Sequence, residues 1–180
     1  MRSPKLVTAT GIACLLFSFL NAQTMADARI RPSFSSPPPG FPQTKVPPKI
    51  VAIRAQLFYE ATGTFSQDIL SQKDLALWNT IIGEGSAGAA STSTFVTIEI
   101  SGRNMAVGAT KVEITATGNK SRLIQKRLID VDIYDERTKF VAPFWLYDTG
   151  CEPIKIAARL IGAGAPRSVI TKTIPFACGE

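Results

Sequence analysis

From residue 50 to the C-terminus, apolar and polar residues alternate in short runs separated by glycine, proline and charged turns. Val96, Ile98 and Ile100 fall on one parity, and Thr97 and Glu99 on the other. Val112, Ile114 and Ala116 repeat the pattern with Lys111, Glu113 and Thr115 between them. Ile154, Ile156, Ala158 and Leu160 repeat it again, with Lys155 and Arg159 outward. A period of two marks a strand that buries one face and wets the other. Strands are predicted over residues 50–59, 96–100, 112–116, 123–134, 140–147, 154–160 and 169–176. One stretch departs from this period. Ser71 precedes Asp74 as a helix start would, and Leu75, Trp78 and Ile82 follow at helical spacing, which predicts a short helix over 72–79. Residues 83–94 are small, polar and glycine-rich and read as a long loop. About seven short strands at regular spacing make an all-β antiparallel sandwich. Strands of a parallel sheet, buried on both faces, would not alternate.

Cys151 and Cys178 bracket the last predicted hairpin. Were they directly opposed in the ladder, Ile154 would face Pro175 and Ile156 would face Thr173. The apolar faces (Ile154, Ile156 and Leu160 against Ile170, Ile174 and Phe176) need a register one residue away. A slip of one residue turns a whole strand over. Either a bulge intervenes or Cys151 lies ahead of the ladder, and Gly150 just before it favours the second.

The N-terminal region sets the expected compartment. Arg2 and Lys5 precede an uncharged run from Leu6 to Leu20, and Thr24-Met25-Ala26 and Ala26-Asp27-Ala28 both fit a small-residue cleavage rule. This is the pattern of a secretory signal peptide. The run falls short of the roughly 20 apolar residues that span a bilayer, which argues against the alternative of an uncleaved anchor. The expected division is a signal peptide over 1–28, a proline-rich linker over 29–49 and one domain over 50–180, with no transmembrane segment after cleavage. The linker assignment rests on Pro32, Pro37, Pro38, Pro39, Pro42, Pro47 and Pro48, each of which lacks a backbone N–H. Cleavage removes Cys14 and leaves an even pair in an oxidising periplasmic or extracellular setting. A Cys151–Cys178 disulfide is therefore expected, two free buried thiols being the alternative.

Composition then removes several chemistries. The chain has no histidine, so Ser-His-Asp and Cys-His catalysis as usually built, and histidine metal sites, are excluded. The net charge is +6, but the cations are spread along the chain. Their densest group, Lys120, Arg122, Lys126 and Arg127, runs directly into Asp130 and Asp132. Nothing resembles the basic stripe with interleaved aromatics of a nucleic-acid binder. Gly83-Glu84-Gly85-Ser86-Ala87-Gly88 matches G-x-G-x-x-G, yet a strand should precede that motif and a helix follow it. Here the predicted order is reversed, so a loop is the better reading. Asp130, Asp132, Asp135 and Glu136 form an acidic group that is a candidate Ca²⁺ site, set against a solvated turn paired with Arg137 and Lys139. Trp78, Glu84, Trp145 and Tyr147 are candidate ligand contacts, with Tyr59 and Tyr134 as further groove aromatics, set against ordinary core packing.

The stretches Val112-Glu113-Ile114-Thr115-Ala116, Phe140 to Leu146, Thr149-Gly150 and Ile154 to Leu160 resemble the C-terminal strands of bacterial extracytoplasmic Ig-like modules, over the last half of the chain. The Cys…Trp…Cys spacing of immunoglobulin domains is absent. The resemblance implies an Ig-like sandwich with a structural or adhesive role and carries over no functional residue. The expectation is a secreted or periplasmic, non-catalytic Ig-like module that binds a protein or an envelope glycan or lipid. It would use no cofactor other than the candidate Ca²⁺. A carboxylate-dependent or Ca²⁺-binding carbohydrate-active protein, using Asp130, Asp132, Glu84 or Asp148, is the second reading.

Overall fold

The first strand begins inside the proline-rich stretch. In the computed structural model, which describes residues 45–103, 108–133, 137–162 and 165–179, β1 runs Val46–Tyr59 and pairs with β3 (Ser93–Arg103) from Val46↔Arg103 to Phe58↔Ser93. Pro47 and Pro48 are tolerated because the register shifts between Val46 and Lys49, where the ladder asks no N–H of either. A second irregularity between Ile50 and Ala52 changes the inward parity, so Ile50 and Ile53 are both buried. A bulge does this by inserting one extra residue in one strand. The expected signal peptide, most of the linker, and Tyr134, Asp135 and Glu136 lie outside the described residues.

The strands form two antiparallel four-stranded sheets. One has the order β2 (Thr64–Phe65), β1, β3, β6 (Lys139–Leu146); the other has β5 (Leu123–Asp130), β4 (Thr110–Thr117), β7 (Ile154–Gly162), β8 (Val169–Ile174). The order β1-β3-β6 against β4-β7-β8 follows the A-B-E against C-F-G connection of Ig-type sandwiches, with β5 beside β4 where a C′ strand would lie. The alternating residues fill the space between the sheets. Val96, Ile98, Ile100, Ala142, Phe144 and Leu146 from one sheet, and Val112, Ile114, Ala116, Ile154, Ile156 and Ala158 from the other, are 0–2 % exposed. At roughly 25 cal/mol per Å² of apolar surface, this shared layer is the main stabilising contribution. β5 has no buried residue and ends at Asp130, earlier than the alternation suggests, with Val131 and Ile133 buried beyond it.

The helix expected over 72–79 is not formed; the helical turns among the described residues are 3-10 turns at Thr80–Ile82 and Asn119–Ser121. Two physical causes oppose it. Asp74 and Asn79 adopt left-handed backbone angles, φ 60° and 47°, which break a right-handed helix. Partners distant in sequence also claim the backbone between them. Ala76 exchanges hydrogen bonds with Ser86, and Trp78 forms a parallel bridge to Ala177. Leu77 is buried by this arrangement, so the 3.6-residue spacing of Leu75, Trp78 and Ile82 was coincidental.

The last hairpin has the register that the apolar faces require. Ile154 pairs with Ile174 and Ala158 with Ile170. Cys151 lies ahead of the ladder and is joined to Cys178, with Cα atoms 4.6 Å apart. The bond ties the C-terminal segment to the loop that follows β6. Asn79 N–H donates to the Ala177 carbonyl, Ala177 N–H to the Leu77 carbonyl, and Gly179 N–H to Asn79 Oδ1.

Candidate functional site

The outer face of the β2-β1-β3-β6 sheet should be polar by the logic of alternation, and half of it is. Glu99 accepts from Lys139 Nζ at 2.7 Å and from Arg54 Nη2 at 3.4 Å, joining three strands. The Lys139 hydrogen bond is the main reason that the Glu99 carboxyl is held below the usual range, with Arg54 adding to it. Toward the other end of the same face the outward positions become aromatic. Phe95 stands opposite Trp145, and Phe58 opposite Phe65. Tyr147 follows directly after β6.

Trp145 is the hub of this group. Its ring centroid lies 4.9 Å from Phe95, 5.5 Å from Phe58, 5.8 Å from Phe65 and 6.3 Å from Tyr147. The Phe58 contact is edge-to-face and the Tyr147 ring is within 9° of parallel. Such geometries are each worth about 0.5–1.5 kcal/mol beyond area burial. The rings do not bury themselves completely. Phe65 is 43 % exposed and Tyr147 65 % exposed. The result is a patch of five aromatic side chains, partly open to solvent, beside the charged half of the same face.

Of the four ligand-contact candidates from sequence, Trp145 and Tyr147 belong to this patch. Trp78 and Glu84 lie elsewhere, in the loop that leads to β3. The Trp78 indole sits where a side chain on Gly179 would have to go, and Glu84 accepts from Asn79 Nδ2 at 2.8 Å. Both help to hold the C-terminal segment. Tyr59 donates to the Ala87 carbonyl and so anchors the same loop. Phe58, Phe65 and Phe95 were missed. Their signal was present: alternation fails at Leu57-Phe58-Tyr59, Phe95-Val96 and Phe144-Trp145-Leu146-Tyr147, where both parities turn apolar on three neighbouring strands.

Among the described residues the candidate carboxylates do not gather into one cluster. Asp130 pairs with Lys111 at 2.6 Å, and Asp132 Oδ1 accepts from Gly108 N–H. These lie at the end of the sandwich opposite Glu84 and Asp148. Among the described residues no group of three or more acidic or cysteine side chains could hold a metal ion. Among the described residues the shifted carboxyls are Glu60, Glu99 and Glu113, all lowered, which is the direction of ion-paired or hydrogen-bonded surface groups and opposite to that of a general acid.

No family model matches the chain, and no curated protein matches it. Among solved structures it is similar over 46 % of its length to a candidate beta-galactosidase from Bacteroides fragilis, at 13 % identity and a TM-score of 0.37, and it spans 14 % of that protein.

Proposed function

We propose that the chain is an extracytoplasmic, non-catalytic Ig-like module that binds another protein through the aromatic face of Phe58, Phe65, Phe95, Trp145 and Tyr147. The observation that carries this reading is the placement of five partly exposed rings on a sheet face whose other half is an ordinary ion-pair ladder. Aromatic side chains are enriched at protein interfaces, and Trp and Tyr dominate their energetic centres. The disulfide supports an oxidising compartment. The separation of Glu84 and Asp148 from Asp130 and Asp132, with Asp130 paired to Lys111, supports binding over acid–base catalysis.

A photo-crosslinking residue at position 147, in cells that make the protein, tests this reading. The expected result is one discrete protein adduct that disappears in a Trp145→Ala background and is absent when the crosslinker is placed at Thr171 on the opposite sheet. A smear, or an adduct indifferent to Trp145, contradicts it.

A further inference from the structure

The opposite outer face, on the β5-β4-β7-β8 sheet, is built differently. Its register sets out rows of side chains across the sheet. Leu128, Glu113, Arg159 and Val169 form one row; Lys126, Thr115, Ala157 and Thr171 form the next. Beyond the first row come Asp130, Lys111 and Ile161. On the far side lie Leu123, Thr117, Lys155 and Thr173. Leu123, Leu128, Ile161 and Val169 are exposed large aliphatics, between 38 % and 56 % accessible. Cations stand beside three of them: Arg159 is opposite Val169 and Lys111 opposite Ile161 across the sheet, and Lys126 is on the same face as Leu128 along β5. Glu113 offsets part of this charge by accepting from Lys126 and Arg159, each at 2.7 Å, and Asp130 offsets Lys111. Arg159 makes its bond through Nε. A groove of about 460 Å³ at the β7–β8 end is lined by Arg159, Ile161, Pro166, Arg167 and Val169, so two arginines and several apolar residues share its wall.

We infer that this face docks on an anionic lipid surface. The mixing of cations and aliphatics distinguishes it from the aromatic face. A protein interface collects its apolar residues at the centre and its charges at the rim. A lipid interface accepts both in the same place. Short aliphatic groups enter the headgroup–acyl boundary, while lysine and arginine lay their stems along it and carry the charge to the phosphates. The excess of Lys and Arg over Asp and Glu along the chain adds long-range attraction toward an anionic layer. The groove gives a phosphate with an attached glycerol a place to seat against Arg159 and Arg167. This inference is independent of the aromatic face, which lies on the other sheet and stays free for its partner.

Flotation of the purified protein with phosphatidylcholine vesicles, with and without phosphatidylglycerol, tests it. The expected result is binding that needs phosphatidylglycerol and weakens as salt rises through the range that shortens the Debye length. Each cation near an anionic surface is worth about fivefold in affinity, so Lys155→Gln/Arg167→Gln should lose about 25-fold. Leu128→Ser and Val169→Ser, on two different strands, should each weaken binding, and Tyr147→Ala should not. All these positions are exposed, and a thermal melt matching wild type confirms that each variant folds. The inference is overturned by equal binding to both vesicle types, by no binding, or by loss that follows Tyr147→Ala instead. Full competition by millimolar inorganic phosphate would also overturn it in favour of a free-anion site, and tighter binding to polyglutamate in favour of an acidic protein.

Discussion

The Phe58 and Trp145 rings meet edge to face with centroids 5.5 Å apart, although their strands do not pair with each other. Both β1 and β6 pair with β3, so the contact reaches across the central strand and closes over its outward residues. This crossing holds the two-residue strand β2 in place through Phe65 and gives Trp145 a structural role beside the proposed binding one. Tyr147 contacts Trp145 among these rings and is the most exposed large hydrophobic among the described residues.

The two residues should therefore separate stability from binding. Trp145→Ala loses contacts with four rings and is expected to lower unfolding free energy by about 2–4 kcal/mol, at or below the range for buried aromatic truncations. Tyr147→Ala is expected to change it by less than about 1 kcal/mol. Chemical denaturation of both variants checks this, and equal costs would show that Tyr147 is packed more firmly than its exposure indicates.

Reduction of Cys151–Cys178 should destabilise the domain and free its C-terminal end. The cysteines are 27 residues apart in sequence, and the chain-entropy model assigns such a loop about 3–4 kcal/mol. The melting temperature of the Cys151→Ser/Cys178→Ser variant should fall accordingly. Trp78 fluorescence should become more accessible to a soluble quencher, since its partners Ala177 and Gly179 are held in place by the bond. A native, unreduced protein that yields two titratable thiols after denaturation would contradict the assignment.

Gly150 and Thr80 test the packing of the loops. Gly150 has φ +121°, and a methyl group there would lie 2.5 Å from Thr80 Oγ1 and 2.9 Å from Ile81 Cγ2. Gly150→Ala is expected to cost about 1–3 kcal/mol through strain and overpacking. Thr80 is fully buried, and its hydroxyl has no hydrogen-bond partner. Thr80→Val removes an unpaired polar group at nearly constant shape and should be neutral or stabilising. Thermal melts of both variants in one buffer make the comparison.

Acid should weaken the fold through its two carboxylate ladders. Glu113 is held below its ordinary value of 4.5 chiefly by the Lys126 hydrogen bond and next by that of Arg159; Glu99 is lowered chiefly by Lys139. A lowered native pKa means that the unfolded chain takes up these protons first as pH falls. The contribution is complete above about pH 4.5 and is lost as pH drops through the lower native values. The urea midpoint should therefore decline below that pH, and Glu99→Gln/Glu113→Gln should flatten the decline. A double variant with the same acid profile as wild type would assign the acid sensitivity to other groups.

Much of the sandwich was legible because alternation is local and the core is large. Val96, Ile98 and Ile100 cannot be buried without placing Thr97 and Glu99 outside, and the parity of Ile154 and Ile174 demanded either a bulge or a Cys151 ahead of the ladder, with Gly150 favouring the second, which is the one formed. What failed was non-local. The segment around Trp78 adopts its form because Ala177 arrives from almost 100 residues away, and no helical spacing within the segment reveals that. The aromatic face was half-legible. Trp145 and Tyr147 stood out by residue type, whereas Phe58, Phe65 and Phe95 join them only through the pairing of β1, β2, β3 and β6.

The affinity of the crosslinked partner for the Tyr147→Ala domain tests the central claim most directly. Calorimetric titration of that partner against wild type and variant, with melting temperatures measured on the same samples, separates the interface from the fold. An interface centred on this face predicts a loss of about 30-fold or more, the scale of a hot-spot truncation, at unchanged thermal stability. An affinity within twofold of wild type would contradict the claim and return the aromatic patch to a purely structural role.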